Sequence, residues 1–445
     1  MISQSKIPFN NNFPTFRFPD FEVINLDNGI KVYLVENTKQ ALAGFRISIK
    51  RGSFFDESEG LTYMTAQMLT RGTDKHNAAE IASLTENSGA VIKTTSDYDD
   101  MLISGISLNE FFDDIIALTA ECYFDSQMPE KEFEKIRKKH ISAIMQQNSD
   151  IAFLAKYAME RTMFAGDGYG KLISGTIKSM KKINRNMVFD NYRNNFSKSP
   201  ISIFLTGNFD KVQTLKFINE LFSELDLESE TANEEQTNMQ DAGIAIIDKP
   251  SSNQAAIRMA RKIVGRENPD FPYIQLVNTI LGGFFMSRLN HILREVKGYT
   301  YGVHSMMDSR KRAGLNVIAT SVNITQAGES VQIIKDEYKA LMEKTITEEE
   351  MRRAVSYFTG SFLRSIETPM QITAMLRTLD SFNLDYDFYD NYYRKISDVT
   401  LKDLHRTVSK YFSDDNFVIS LAGDLDTIKP QMEQFGNINI LEIEE

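Results

Sequence analysis

The chain has 445 residues, 42% hydrophobic and 25% charged, enough for a packed core and for two domains or more. Its 61 acidic side chains outnumber 50 basic ones, for a formal net charge of -11. That balance, with no Lys/Arg run, argues against a nucleic-acid binder and reads first as solubility. The single cysteine, Cys122 in the apolar "IIALTAECYF", excludes an intramolecular disulfide and a thiolate zinc cluster.

The opening "MISQSKIPFNNNFPTFRF" lacks the apolar run of a signal peptide. The longest uncharged stretch, "FPYIQLVNTILGGFFMS", is shorter than the roughly 20 apolar residues of a membrane span. A cytoplasmic protein with no membrane association is the expectation. "FEVINLDNGIKVYLVEN" then reads as two strands around the Asn28-Gly29 turn. "GFRISIKRG" alternates, with Phe45, Ile47 and Ile49 on one face and Arg46, Ser48 and Lys50 on the other. "GLTYMTAQMLTRGT" (60–73) has the rhythm of an amphipathic helix, closed by Arg71 and Gly72. "AVIKTTSDYDDMLISGISL" reads as a hairpin turning at Asp97–Asp100. "NEFFDDIIALTAECYFD" and "EKEFEKIRKKHISAIMQQ" are helical by period. Strands alternating with helices and hairpins predict an α+β fold with antiparallel-rich sheets.

The second half repeats the first. "KINRNMVFDNYRNNFSKSPISIFLTGNFD" (182–210) aligns without gaps to "DVTLKDLHRTVSKYFSDDNFVISLAGDLD" (398–426), pairing Phe196 with Phe412, Gly207 with Gly423 and Asp210 with Asp426. "MPEKEFEKIRKKHISAI" matches "ITEEEMRRAVSYFTGSF" at an offset of 218. So long a period means duplicated domains rather than a solenoid. The segment 224–241 carries seven acidic and no basic residues and reads as a solvated linker. The expected plan is one domain over 1–225, an acidic linker over 226–241 and a second domain over 242–445.

This chain resembles the insulinase/mitochondrial-processing-peptidase family of inverted-motif zinc peptidases over nearly its whole length. The resemblance rests on the duplicated plan, on "GSFFDESEGLTYMTAQMLTRGT", on "TILGGFFMSRLNHILREVKGYTYGVHS" and on the closing "LTGNFD" and "LAGDLD". It implies two homologous domains, each a sheet with packed helices, forming half of a clam-shell. Active members carry H-x-x-E-H on the first long helix, where two His one turn apart bind zinc and the Glu takes a proton from the zinc-bound water. A Glu on a later helix completes the site. The matching positions here are Tyr63, Ala66, Gln67 and Ala143. None can do that work, so no metal and no catalysis are expected in this chain. The five histidines, His76, His140, His291, His304 and His405, never fall at i, i+3 or i, i+4, and surface or hydrogen-bonded positions account for them.

What the resemblance leaves intact is in the second half. "LREVKGYTYG" matches the family's Arg–Tyr pair, giving Arg294 and Tyr301, which would reach a substrate carbonyl at a zinc held by the facing domain. The bland alternative is a surface Arg paired with Glu295 and a Tyr packed in a strand. Gly282 and Gly283 either let a substrate pass close to the helix start or let elements pack tightly. "AGDGYGKL" (165–172) fails the phosphate-loop pattern at both ends. Two functions stay open. The first is a non-catalytic, peptide-binding subunit of a heterodimeric zinc peptidase, whose partner carries the intact H-x-x-E-H and the zinc. The second is an inactive binding or scaffold protein, including a homodimer, with no peptidase partner.

Overall fold

The computed structural model describes residues 13–223, 225–227, 237–343, 345–412 and 416–444. Most of the acidic linker and the first twelve residues lie outside them. The fold is α+β, two homologous domains, each with a six-stranded mixed sheet. The first sheet comprises β1 (Glu22–Asn25), β2 (Lys31–Glu36), β3 (Leu42–Ile49), β4 (Val91–Ser96), β5 (Met101–Leu108) and β6 (Ile201–Gly207), in the order β1-β2-β6-β3-β5-β4. The second comprises β7 (Gly243–Asp248), β8 (Gln254–Lys262), β9 (Val303–Arg310), β10 (Ala313–Asn323), β11 (Val418–Gly423) and β12 (Ile438–Leu441), in the order β12-β7-β11-β8-β10-β9.

The repeat read in the sequence is thus a repeat of topology, and it differs at one edge. β1 joins β2 antiparallel through the Asn28-Gly29 loop, where Gly29 takes φ 85°. β12 arrives from the C-terminal end and pairs parallel with β7. The closing turns also differ by two residues. Asp210 caps the helix Lys211–Phe222, but Asp424, not the aligned Asp426, caps Leu425–Met432.

Phe45, Ile47 and Ile49 enter the first core with Met64, Met68, Ile103 and Leu205. Cys122 is buried, and burial pushes its thiol up to about 12, so the reactive thiolate is scarce at neutral pH. The polar face of β3 is covered too. The helix Pro369–Ser381, from the second half of the chain, packs on β3 and β6. Ser48 donates to Asp100 at 2.8 Å, and Lys50 pairs with Asp380 at 2.9 Å. The first half reciprocates. The helix Ile151–Met163 lies on β7, β8 and β11, seating Leu154, Ala155 and Ala158 against Ala245, Ala256 and Ala422. The two helices have 13 residues each and stand at the same 218-residue offset as the repeat.

Each exchanged helix also brings a charge to the other half's hairpin turn, with opposite sign. Glu160 receives Arg310 at 3.1 Å. Arg377 reaches Asp97 at 2.6 Å and Asp100 at 2.7 Å. Burial alone would raise the Asp100 carboxyl, but the charges of Arg377 and Lys311 outweigh it and hold the group below the ordinary carboxylate range. Arg310 also lies over the rings of Tyr98 and Phe164, at 4.3 and 4.9 Å. The cavity between the two turns, about 370 Å³, is lined by these charged groups.

Candidate functional site

The helix that matches the family's zinc helix runs from Leu61 to Met68, ending before Arg71 and Gly72. Gly60 starts it at φ 87°, and a Cβ there would lie 2.3 Å from Met180 and 3.0 Å from the Gly175 backbone. Only glycine satisfies both the conformation and the space. It offers no side-chain cap, and Asp56 supplies one, accepting from the Thr62 amide at 3.1 Å. Burial pushes the Asp56 carboxyl up to about 6, against the opposing pull of the Thr62 hydrogen bonds and of Lys171 and Arg51.

Met64, Ala66 and Met68 point into the core, while Tyr63 and Gln67 are half-buried on the other side. Tyr63 stacks on His140, with centroids 4.4 Å apart and planes 26° from parallel. His140, on the helix Glu130–Gln147, donates from Nε2 to the Ser174 carbonyl at 2.7 Å. Burial lowers its pKa below the ordinary histidine value, so it is neutral at pH 7. Ala143, one turn further on, is exposed. Gln67 donates from Nε2 to the Thr94 carbonyl on β4 at 3.2 Å. The four positions therefore hold an aromatic stack, a methyl group in the core, an amide on a strand edge and an exposed methyl group. Among the described residues no group of three or more His, Cys, Asp or Glu could hold a metal ion.

β4 is one of the two edge strands of the first sheet. Antiparallel pairing alternates the groups that face the partner strand with groups that face away. Asp97 donates to Asp100 across the turn, so Thr95 and Lys93 face β5 while Ser96, Thr94 and Ile92 face outward. The Gln67 bond to Thr94 fits this parity. No other outward backbone group of Ile92, Thr94 or Ser96 has a recorded partner among the described residues.

The corresponding edge of the second sheet is β9, and its start is capped by side-chain amides at Val303 and Ser305. Asn290 Nδ2 donates to the Val303 carbonyl at 2.8 Å, and the Val303 amide donates back to Asn290 Oδ1 at 3.0 Å. Asn278 Nδ2 donates to the Ser305 carbonyl at 3.0 Å and its Oδ1 accepts from Asn316 at 2.7 Å. Asn316 in turn accepts from Tyr338 at 2.8 Å. The chain around these amides contains two π-helical turns, Thr279–Gly283 and His291–Val296, a local geometry that concentrates at functional sites.

Arg294 lies on the second of these turns with its guanidinium 4.1 Å above the exposed Phe285 ring. Glu295 pairs instead with His291. Tyr301 is 95% exposed in the loop before β9, so it is not a strand-packed residue. Gly282 is a packing glycine. A Cβ there would lie 2.8 Å from Ser305 Cβ and 3.2 Å from Leu289. Gly283 is looser, with nothing nearer than 3.3 Å. Among the described residues no hydrogen bond, ion pair or ring contact joins Arg294 to Tyr301, or either to the Leu61–Met68 helix. Asn278 and Asn290 escaped the sequence reading, whereas His140, expected at a surface or hydrogen-bonded position, bonds the Ser174 carbonyl. The one available signal was spacing, since Asn278 precedes Ser305 by 27 residues, as Gln67 precedes Thr94.

Fold and site together define a peptidase-type double domain in which the positions matching the family's metal ligands carry no metal-binding side chain. The insulinase (peptidase family M16) model matches residues 31–176, and the peptidase M16 inactive domain matches 182–358. The chain belongs to the M16 peptidase family and is a catalytically inactive member of it. It is 24% identical over 359 residues to a non-peptidase homolog YmxG of Helicobacter pylori, covering 80% of this chain and 82% of that one. It is 19% identical over 437 residues to a mitochondrial-processing peptidase subunit beta of Lentinula edodes, covering 92% and 91%. Among solved structures, a peptidase M16 inactive domain from Pseudomonas fluorescens superposes with a TM-score of 0.84 at 22% identity, covering 91% of this chain and 98% of that one. No helix among the described residues is long and apolar enough to cross a membrane.

Proposed function

We propose that this chain is the non-catalytic, peptide-binding subunit of a two-chain M16 zinc peptidase. The partner would carry H-x-x-E-H and the zinc, and the two chains would enclose a chamber. Unfolded peptides would add as a strand to the open β4 edge, where backbone groups give affinity without demanding a sequence. Arg294 and Tyr301 would act in trans, aimed at the peptide carbonyl as charge develops on it at the partner's zinc. The observation that carries this reading is the state of that pair. Tyr301 is almost wholly exposed and Arg294 rests on an exposed ring, unpaired with Glu295, so both are free to meet another chain. The relative named as a processing-peptidase subunit supports a two-chain arrangement.

The test is co-expression with an H-x-x-E-H homologue, followed by a peptidase assay on each chain and on the mixture. Activity is expected in the mixture and not in this chain alone. Arg294→Ala should lower turnover of the mixture by about a hundred- to a thousandfold, the effect of losing one preorganised donor. Tyr301→Phe should lower it by a smaller factor. Wild-type rates in the double variant would leave the second reading, an inactive binding or scaffold protein that works alone or as a homodimer. The non-peptidase name of the Helicobacter relative favours that alternative.

A further inference from the structure

Gln67 stands where active relatives carry a zinc ligand, yet its side chain points at a strand edge. Its amide takes the carbonyl of Thr94, the middle one of the three outward-facing residues of β4. The second half makes the same bond with different consequences. Asn278 reaches the Ser305 carbonyl of β9 across the same 27-residue separation. Asn278 is fully buried and its other amide atom is also engaged, by Asn316 and the Ser305 hydroxyl. Gln67 is half-buried, and its Oε1 has no recorded partner among the described residues. Asn278 is therefore a fixed seal, whereas Gln67 holds one long bond from a side chain with three rotatable bonds.

We propose that Gln67 is an internal competitor for the β4 edge. Its amide takes the Thr94 carbonyl in the free protein, and an adding peptide competes with it for that carbonyl to complete its ladder. The emptied ligand position thereby sets how readily the edge accepts a strand. It keeps the free edge from pairing with any chance chain, a hazard of long unpaired strands. This rests on the reading of β4 as the peptide-binding edge, and the experiment separates the two.

The probe is a short fluorescein-labelled peptide rich in Val and Thr with lysine ends, titrated into the full chain and followed by anisotropy. Gln67→Ala removes the amide. Gln67→Glu places a carboxylate that cannot donate and is repelled by the carbonyl. Both should tighten binding by roughly two- to tenfold, the range of one ordinary hydrogen bond. Ile92→Pro removes an outward amide without touching the β5 ladder. It should weaken binding in the wild type and cancel the gain in the Gln67 variants. If Ile92→Pro abolishes binding but neither Gln67 variant tightens it, β4 binds peptide and the competitor role is overturned. If Ile92→Pro has no effect, or no variant binds the probe, the β4 reading itself fails and takes this inference with it. Thermal melts of each variant show whether a change in affinity reflects lost folding.

Discussion

β4 and β9 occupy the same place in two copies of one sheet, and they are finished in opposite ways. On β9 two buried asparagines take both outward groups of Val303 and the carbonyl of Ser305. On β4 a single half-buried glutamine takes one carbonyl and leaves the neighbouring outward groups unpartnered among the described residues. A buried edge must be satisfied by fixed polar side chains, because an orphaned backbone group there costs about 1–3 kcal/mol. An accessible edge can rely on water, and so can stay available. The contrast teaches that two copies of one scaffold can differ, through a few amides, in which backbone groups their edge strands leave uncapped.

Several changes would sharpen or break that contrast. The largest effect should come from the contacts that hold the halves together. Arg377→Met strands Asp100 in the interior without its main partner, and about 3–5 kcal/mol of stability should be lost in denaturant titrations. A loss under about 1 kcal/mol would mean that the Arg377–Asp100 pair does not hold the halves together. The same carboxyl predicts the pH response. Its folded value lies below its unfolded value, so its contribution is present above about pH 4 and disappears as the pH falls through the folded value. Melting temperature should drop in that acid range, and less so in Asp100→Asn, which is already destabilised at neutral pH.

Proline placement tests the parity of β4. Lys93→Pro removes an amide that faces β5 and should cost about 2–3 kcal/mol. Ile92→Pro removes one that faces outward and should cost under about 1 kcal/mol. Equal costs would show the register to be wrong. Asn290→Ala should cost about 2 kcal/mol, because it orphans both backbone groups of buried Val303. Gln67→Ala should cost less than about 1 kcal/mol by the same melt. Smallest of all should be Arg294→Ala, within about 0.5 kcal/mol, since its guanidinium lies over an exposed ring at the surface. A large loss there would make Arg294 a structural residue.

Much of this was legible in the chain itself. The Asn28-Gly29 loop, the hairpin at Asp97–Asp100, the helix over 130–147 and the repeat all follow from local periods and turn residues, which act over a few residues. The departures from the family motif at Tyr63, Ala66, Gln67 and Ala143 were legible because a metal demands particular side chains at fixed spacing. The polar face of β3 was not. Arg46, Ser48 and Lys50 suit water and suit buried ionic partners equally well, and nothing local reveals that a helix from 369–381 lies above them. The two-residue shift of the second cap was hidden in the same way, since Asp424 and Asp426 are both competent caps and only the turn geometry chooses between them.

The sequence by itself determined the two-domain α+β plan, the family and the absence of the motif's metal ligands. Each of these is carried by side-chain identity at short range. Only the tertiary structure decided that the halves exchange helices with opposite charges, that Tyr301 stands exposed and that Gln67 bonds a strand edge. Those outcomes depend on partners many residues away, and for Gln67 the partner is a backbone carbonyl. Every residue has one, so side-chain identity alone could not have announced it.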